Sequence, residues 1–471
     1  MFNIPYLTTD NKRVDAAYRL AVATLCCNIF PFKDGLLEKE EEVIIAGLGY
    51  ATPWTRDASI NTWNAGGLVC PEVALNTLKS VLCKKEDGIY IGGEYWDSII
   101  WVIGAWNYYL YTGDKEFLKI AYEATENTLK FFEETEFSKE LNLFRGPACY
   151  GDGVAAYPDI YASHGKGGII SFAYECSSLC EKTGVGLPMY ALSTNCLYYE
   201  AYALADKIGS ELGLSPKYAE KAKLMKDSVN KYFWDDKRKT YRYLHDKFGG
   251  SDAIEGMGIS FVILFDIAND EQKEALFKNT PVSPHGITCV YPSFARYNSE
   301  DGYDRGRHSG TVWPHIQGFW ADAAAKNKQT AIFDKEFSAQ TENALRFHQF
   351  AEIYHPETGE MYGGLQENGG KGIARWGSQP FQTWSATAYL RNVYFDLLGM
   401  NFNEKGIEFN PVESSIINNA SLKGLKYRNA VLDIKVTGSG AKIKKFMING
   451  KETVNFVPAD ISGNVCVEII Y

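Results

Sequence analysis

Four loop-like stretches of this chain concentrate carboxylates, aromatic rings and glycines, residue types that grip polyhydroxylated molecules and transfer protons. The first is Tyr50-Ala51-Thr52-Pro53-Trp54-Thr55-Arg56-Asp57. An aspartate accepts and an arginine donates hydrogen bonds, so the adjacent pair suits two neighbouring hydroxyls, with Trp54 as a stacking face. Asp57 equally suits the cap of a helix opening at Ala58-Ser59-Ile60. The second runs from Phe144 to Gly153 and sets Asp152 between two glycines. There the backbone can approach a ligand closely, and a carboxylic acid can protonate a leaving oxygen. Gly-Asp-Gly is also ordinary turn chemistry, and Asp159 is the neighbouring alternative.

The third stretch, Gly310-Thr311-Val312-Trp313-Pro314-His315, follows Tyr303 and the Arg305-to-His308 segment. It reads as a loop entering a helix at Pro314, a residue suited to the first turn. The fourth is Glu352-Ile353-Tyr354-His355-Pro356-Glu357-Thr358-Gly359-Glu360, followed by Gln379-Pro380-Phe381-Gln382-Thr383-Trp384-Ser385-Ala386. A second carboxylate is what activates water opposite the first, and Glu352, Glu360 and Glu367 compete for that place. The seven histidines do not cluster at ligand spacing and no P-loop, HExxH or GxSxG occurs, so no metal and no cofactor is expected.

The elements that must position these loops are helical. Ile99, Ile103, Trp106 and Leu110 share one helix face, as do Leu197, Ala201, Leu204 and Ile208, and Tyr218, Ala222, Met225, Val229 and Tyr232. The loops between helices, at 45–67, 143–170, 281–314 and 354–383, are longer than ordinary connections, and such loops tend to be functional. At about 30 residues per helix and loop, residues 1–400 hold about a dozen helices. After Met400 the pattern alternates: Leu432, Ile434 and Val436, then Val465, Val467, Ile469 and Tyr471, with Asn449-Gly450 in a hairpin context. Residues 401–471 read as a small antiparallel β domain.

Composition narrows the function classes. The formal net charge is −10 over 471 residues, which argues against nucleic acid or an anionic membrane as a partner. No apolar run is long enough for a membrane span. The ten cysteines show no CxxC pair, and the first residues lack the pattern of a secretory signal; both fit a reducing cytoplasm.

With these motifs in hand, the chain resembles the six-hairpin glycosidases: trehalase, processing α-glucosidase I, glucoamylase and the glucosidase part of glycogen-debranching enzyme. Trp54-Thr55-Arg56-Asp57 is similar to their W-x-R-D element, Val312-Trp313-Pro314 to their V-W-P loop, and Glu352 to Gly359 with Trp384-Ser385-Ala386 to the E-x-Y-x-P-x-T-G and W-S-A elements of the processing glucosidases. The resemblance implies an (α/α)6 toroid of six helical hairpins with a C-terminal β-sandwich-like domain. It implies an inverting, exo-acting hydrolase of a terminal α-linked sugar, most simply an α-glucoside, acting on an oligosaccharide or small glycoside. Glu352 carries over as general base, and Asp152 by position as general acid, for which a raised pKa is expected. Arg56 and Asp57 would bind hydroxyls, Trp54, Trp313, Trp376 and Trp384 would form walls, and His315, Gln379 and Gln382 would complete the lining. Two rivals share the toroid: a glycoside phosphorylase, and a sugar epimerase working through His164, His308 or His315.

Overall fold

Among the residues that this computed structural model describes, 4–440 and 442–471, twelve helices are seven residues or longer. They are α1 (Lys12–Cys27), α2 (Thr55–Asn61), α3 (Pro71–Ser80), α4 (Trp101–Thr112), α5 (Lys115–Thr135), α6 (Leu192–Glu211), α7 (Ala219–Phe233), α8 (Gly256–Leu264), α9 (Asp270–Asn279), α10 (Pro314–Lys326), α11 (Thr330–Phe347) and α12 (Thr383–Arg391). The even-numbered helices are neighbours in series. α2 packs on α4, α4 on α6, α6 on α8, α8 on α10, α10 on α12, and α12 returns to α2. Odd-numbered helices lie against this ring: α3 on α2 and α4, α5 on α4 and α6, α7 on α6, α11 on α10, and α1 on α11 and α12.

The sequence explains which helices go inside. α8 reads GMGISFVIL and buries all but its last residue, and α4 is nearly as apolar. A helix apolar all round has to be surrounded. α5 instead buries one stripe, from Phe117 and Leu118 through Ala121, Ala124, Thr125, Thr128, Leu129 and Phe132, and leaves the rest to solvent. Its first turn is closed by Asp114, whose side chain accepts from the Phe117 N–H at 3.0 Å. Inside the ring, Arg391 of α12 donates from Nε to Asp322 of α10 at 2.9 Å. The fully buried pair gains from geometry because both partners are held in register by their helices.

Six strands form the terminal sheet: β1 (Tyr6–Thr9), β2 (Asn419–Tyr427), β3 (Asn429–Thr437), β4 (Lys445–Ile448), β5 (Lys451–Glu452) and β6 (Ser462–Ile470), in the order β1-β2-β3-β6-β4-β5. Leu432, Ile434 and Val436, with Val465, Val467 and Ile469, face its buried side. Asn449 and Gly450 both take positive φ, 50° and 75°, as a two-residue hairpin turn demands. Two features differ from the sequence expectation. The sheet is mixed rather than antiparallel, because β3 and β6 run parallel; the connection at 438–461 is long enough to cross over and carries the β4–β5 hairpin. The edge strand β1 comes from the start of the chain and pairs with β2, so the sheet is not confined to residues after 400. Among the described residues, no helix is long and apolar enough to cross a membrane.

Candidate active site

The loops that precede α2, α6, α10 and α12 meet at one end of the ring and enclose a cavity of about 380 Å³. Ten of the eleven residues singled out from the sequence line it: Trp54, Arg56, Asp57, Asp152, Trp313, Glu352, Trp376, Gln379, Gln382 and Trp384. His315 does not. Pro314 opens α10, as expected, and this carries His315 into the helix behind the wall. Its buried ring lies against Trp384, with centroids 4.3 Å apart, and edge-on to Trp313. Burial, then the charge of Arg56, pushes its pKa well below the usual histidine range, and neither ring nitrogen has a hydrogen-bond partner among the described residues.

The competing carboxylates differ in position. Asp159 is exposed and paired with Arg296 at 2.7 Å. Glu360 is exposed and accepts from the Tyr303 hydroxyl at 3.0 Å. Glu367 turns to Arg296 Nε (3.2 Å) and the Tyr297 hydroxyl (2.5 Å). None of the three lines the cavity.

Glu352 is nearly fully buried and held on both oxygens. The Tyr50 hydroxyl donates to Oε1 at 2.5 Å, Arg307 Nη2 to Oε2 at 2.8 Å, and the Gln379 N–H to Oε2 at 3.3 Å. Three donors to one carboxylate fix its position and orientation in the wall. Asp152 sits on the floor with its side chain 58% open to the cleft, and its Oδ1 lies 3.1 Å from His308 Nε2. Consecutive residues, Arg307 and His308, therefore each hold one of the two carboxylates. The raised pKa expected for Asp152 is not what this arrangement gives. Crowding by the protein pushes the carboxyl up, but the hydrogen bond and charge of His308, then Arg56 and Arg307, outweigh it and hold Asp152 below the usual carboxylate range.

The other wall contains the opposite kind of carboxyl. α2 begins at Thr55, so Asp57 falls in its first turn and does not cap it; Trp54 holds the cap position with φ at 54° and makes no side-chain cap. A positive φ at a bulky residue costs roughly 1–3 kcal/mol and marks a place where geometry is imposed. Here it turns the Trp54 ring outward at the cavity mouth, 53% exposed. Arg56 donates from Nη1 to the Cys149 carbonyl at 2.8 Å, pairs with Asp97 at 3.4 Å, and lies over the Trp384 ring. Burial lifts Asp57 to about 8 against the pull of Arg56, with Asp97, Glu352 and Asp152 adding to the rise. Burial likewise lifts Asp97 to about 7. Asp57 Oδ1, Gln382 Oε1 and Trp384 Nε1 have no hydrogen-bond partner among the described residues. A buried polar atom so left costs about 1–3 kcal/mol, which hydroxyls entering the cavity would relieve.

Four lining residues carry more than the sequence assigned them. Tyr50 stood in the first motif without a role, Arg307 in a segment noted only for its neighbours, His308 only as a candidate of the epimerase reading, and Gln366 was not singled out. Gln366 lies on the short strand Leu365–Glu367. Side chains alternate along a strand, so the glutamine faces the cavity while Glu367, its more conspicuous neighbour, faces away.

A family model for the mannosylglycerate hydrolase MGH1-like glycoside hydrolase domain matches residues 97–385. No curated protein matches the sequence. Among solved structures, a sialidase aligns over 95% of this chain and 40% of its own, with 14% identity and a TM-score of 0.66. A GH78 family rhamnosidase of a Bacillus species aligns over 100% of this chain and 44% of its own, with 12% identity and a TM-score of 0.61. The GH63 mannosylglycerate hydrolase from Thermus thermophilus, in complex with glucose, aligns over 80% of this chain and 100% of its own, with 13% identity and a TM-score of 0.58. This chain thus spans less than half of the sialidase and the rhamnosidase. At these identities the likeness is one of fold.

Proposed function

The chain belongs to the MGH1-like family of glycoside hydrolases, within the six-hairpin superfamily, and from that premise we propose that it removes a terminal α-linked glucose with inversion, Asp152 acting as general acid and Glu352 as general base. The ring of helices is read as the (α/α)6 toroid, residues 1–400 as its catalytic domain and 401–471 as the accessory β domain. Membership in a hydrolase family sets aside the phosphorylase and epimerase readings.

One observation carries the proposal. Two carboxylates from loops far apart in sequence line one cavity of small-molecule size, and they are held differently. Glu352, fixed by Tyr50 and Arg307, is suited to take a proton from water as its oxygen attacks the anomeric carbon. Asp152, open to the cleft, is placed to give a proton to the departing oxygen. Inversion asks for carboxyls about 6.5–9.5 Å apart, with room for that water. The cations of the lining, Arg56 and Arg307, are both engaged by carboxylates, which fits a neutral sugar. Glucose is favoured because a hydrolase of this fold has been solved with glucose. The family description itself names mannosylglycerate, so an α-mannoside is the second reading.

The test is release of monosaccharide from a panel of α-glucosides and α-mannosides, mannosylglycerate included, by wild type and Asp152→Asn. The expected outcome is release by wild type and a fall of about a thousandfold in the variant, since losing the acid removes about 4 kcal/mol of transition-state stabilisation. Full activity in Asp152→Asn would refute the acid assignment.

A further inference from the structure

An acid must bring a proton to the transition state, yet the pocket holds Asp152 ionised. The structure keeps a proton carrier beside it. His308 Nε2 lies 3.1 Å from Asp152 Oδ1, and the histidine side chain is only 4% exposed. Its ring is stacked on Trp313, with centroids 5.0 Å apart and planes at 26°, and lies near Tyr150. A ring so held keeps Nε2 on the carboxylate. Its other nitrogen, Nδ1, has no partner among the described residues, and neither does Gln366 Oε1. The two atoms crowd one small space: a β-carbon added at Gly153 would sit 2.7 Å from Nδ1 and 2.0 Å from Oε1. An amide oxygen only accepts, so it can satisfy Nδ1 only when Nδ1 bears hydrogen. The carboxylate calls for a hydrogen on Nε2, and Nδ1, without a partner among the described residues, is free to carry a second.

We propose that His308 and Asp152 are one proton-holding pair: imidazolium and carboxylate in the free enzyme, imidazole and carboxylic acid once the sugar has entered. This rests on the acid role proposed above. In the transfer the Nε2–H bond breaks and an Oδ1–H bond forms, and the pair is neutral overall in both states. Sugar displaces water from the cavity, and loss of water disfavours separated charges relative to the neutral pair. The charged groups around the pair are Arg56 and Asp57 from α2, Glu94 and Asp97 ahead of α4, and Arg307 with Glu352. The two arginines are paired with Asp97 and Glu352, and they favour the carboxylate form of Asp152 within the pair. In the chemical step Asp152 passes its proton to the glycosidic oxygen as that bond breaks, and Glu352 takes one from the attacking water. Glu352 then loses its proton to solvent, and the imidazole regains one from solvent.

The experiment compares the pH profile of kcat/KM for wild type and His308→Asn on two substrates, methyl α-glucoside, whose leaving group needs a proton, and α-glucosyl fluoride, whose leaving group does not. The expected result is a basic limb that moves down by about two pH units in the variant with methyl glucoside. Activity at pH 7 on that substrate then falls about 100-fold, while the fall on the fluoride is at least about tenfold smaller. An unmoved basic limb, or an equal loss on both substrates at every pH, overturns the proposal and leaves His308 a packing residue. A wild type inactive on both substrates overturns the glucosidase reading itself, and this proposal with it. Should the variant fail to fold, histidine ¹⁵N shifts of the wild type at pH 7 decide: an imidazolium at His308 that turns neutral on saturation with glucose supports the pair, and a ring neutral throughout refutes it.

Discussion

A carboxyl that keeps its proton is a different tool from one that has lost it, and one cavity holds both. Asp152 is ionised because His308, Arg56 and Arg307 outweigh burial; Asp57, lifted to about 8, is mostly neutral at pH 6 and can donate to a hydroxyl as well as accept. Raising the pH from 6 to 9 puts a charge on Asp57 beside Asp97, Glu352 and Asp152, so KM of the wild type is expected to rise across that range. Asp57→Asn, neutral at every pH, is expected to raise KM a few-fold at pH 6 and to flatten the dependence; a KM profile as steep in Asp57→Asn as in wild type would assign the titration elsewhere. The sequence disclosed the types of the two central carboxylates because each lies in a short motif of its own. It did not disclose what holds them. The Tyr50–Glu352 hydrogen bond joins residues 302 apart, and no local pattern encodes such a pairing.

At the scale of elements, the loops are tuned by close approach as much as by side-chain type. Gly153 has an ordinary negative φ of −96°, so its backbone does not need glycine; the space does. A β-carbon there would collide with Gln366 Oε1 and the His308 ring. Gly153→Ala is therefore expected to lower kcat/KM about 100-fold or more with little change in melting temperature; wild-type activity in Gly153→Ala would show that the His308–Gln366 packing does not matter. Helices were the most legible elements. The buried faces through Ile103, Trp106 and Leu110 and through Leu197, Ala201, Leu204 and Ile208 follow the predicted spacing, because apolar periodicity and burial are the same constraint. The hairpin formed by Leu365–Glu367 and Ile373–Arg375 was not legible. Its strands are three residues long, too short for alternation to stand out.

For the whole molecule, the sequence carries no repeat that announces closure. Closure is the contact of α12 with α2, and it depends on residues more than 320 apart, such as the 2.9 Å hydrogen bond from Thr387 Oγ1 to Asn61 Oδ1. Neither the parallel pairing of β3 with β6 nor the recruitment of β1 leaves a local mark. The ring also buries carboxyls away from the cavity. Burial lifts Glu255, which accepts from the Ser193 N–H, to about 8, and Glu336, which accepts from Gln317, to about 7. Their folded pKa values exceed the unfolded ones, so stability is fullest below about pH 4 on their account and is lost as pH rises through 7 and 8. Thermal melting is expected to fall between pH 6 and 9, and Glu255→Gln with Glu336→Gln to recover on the order of 1 kcal/mol or more at pH 9; a double variant that melts with the same pH slope as wild type would contradict this. The central claim, a hydrolysis in which Glu352 activates water while Asp152 serves the leaving group, is tested most directly by following the first minutes of α-glucoside hydrolysis by proton NMR. The account predicts that β-glucose appears first and the α-anomer only later by mutarotation; α-glucose as the first product would contradict it and require a glycosyl-enzyme intermediate instead.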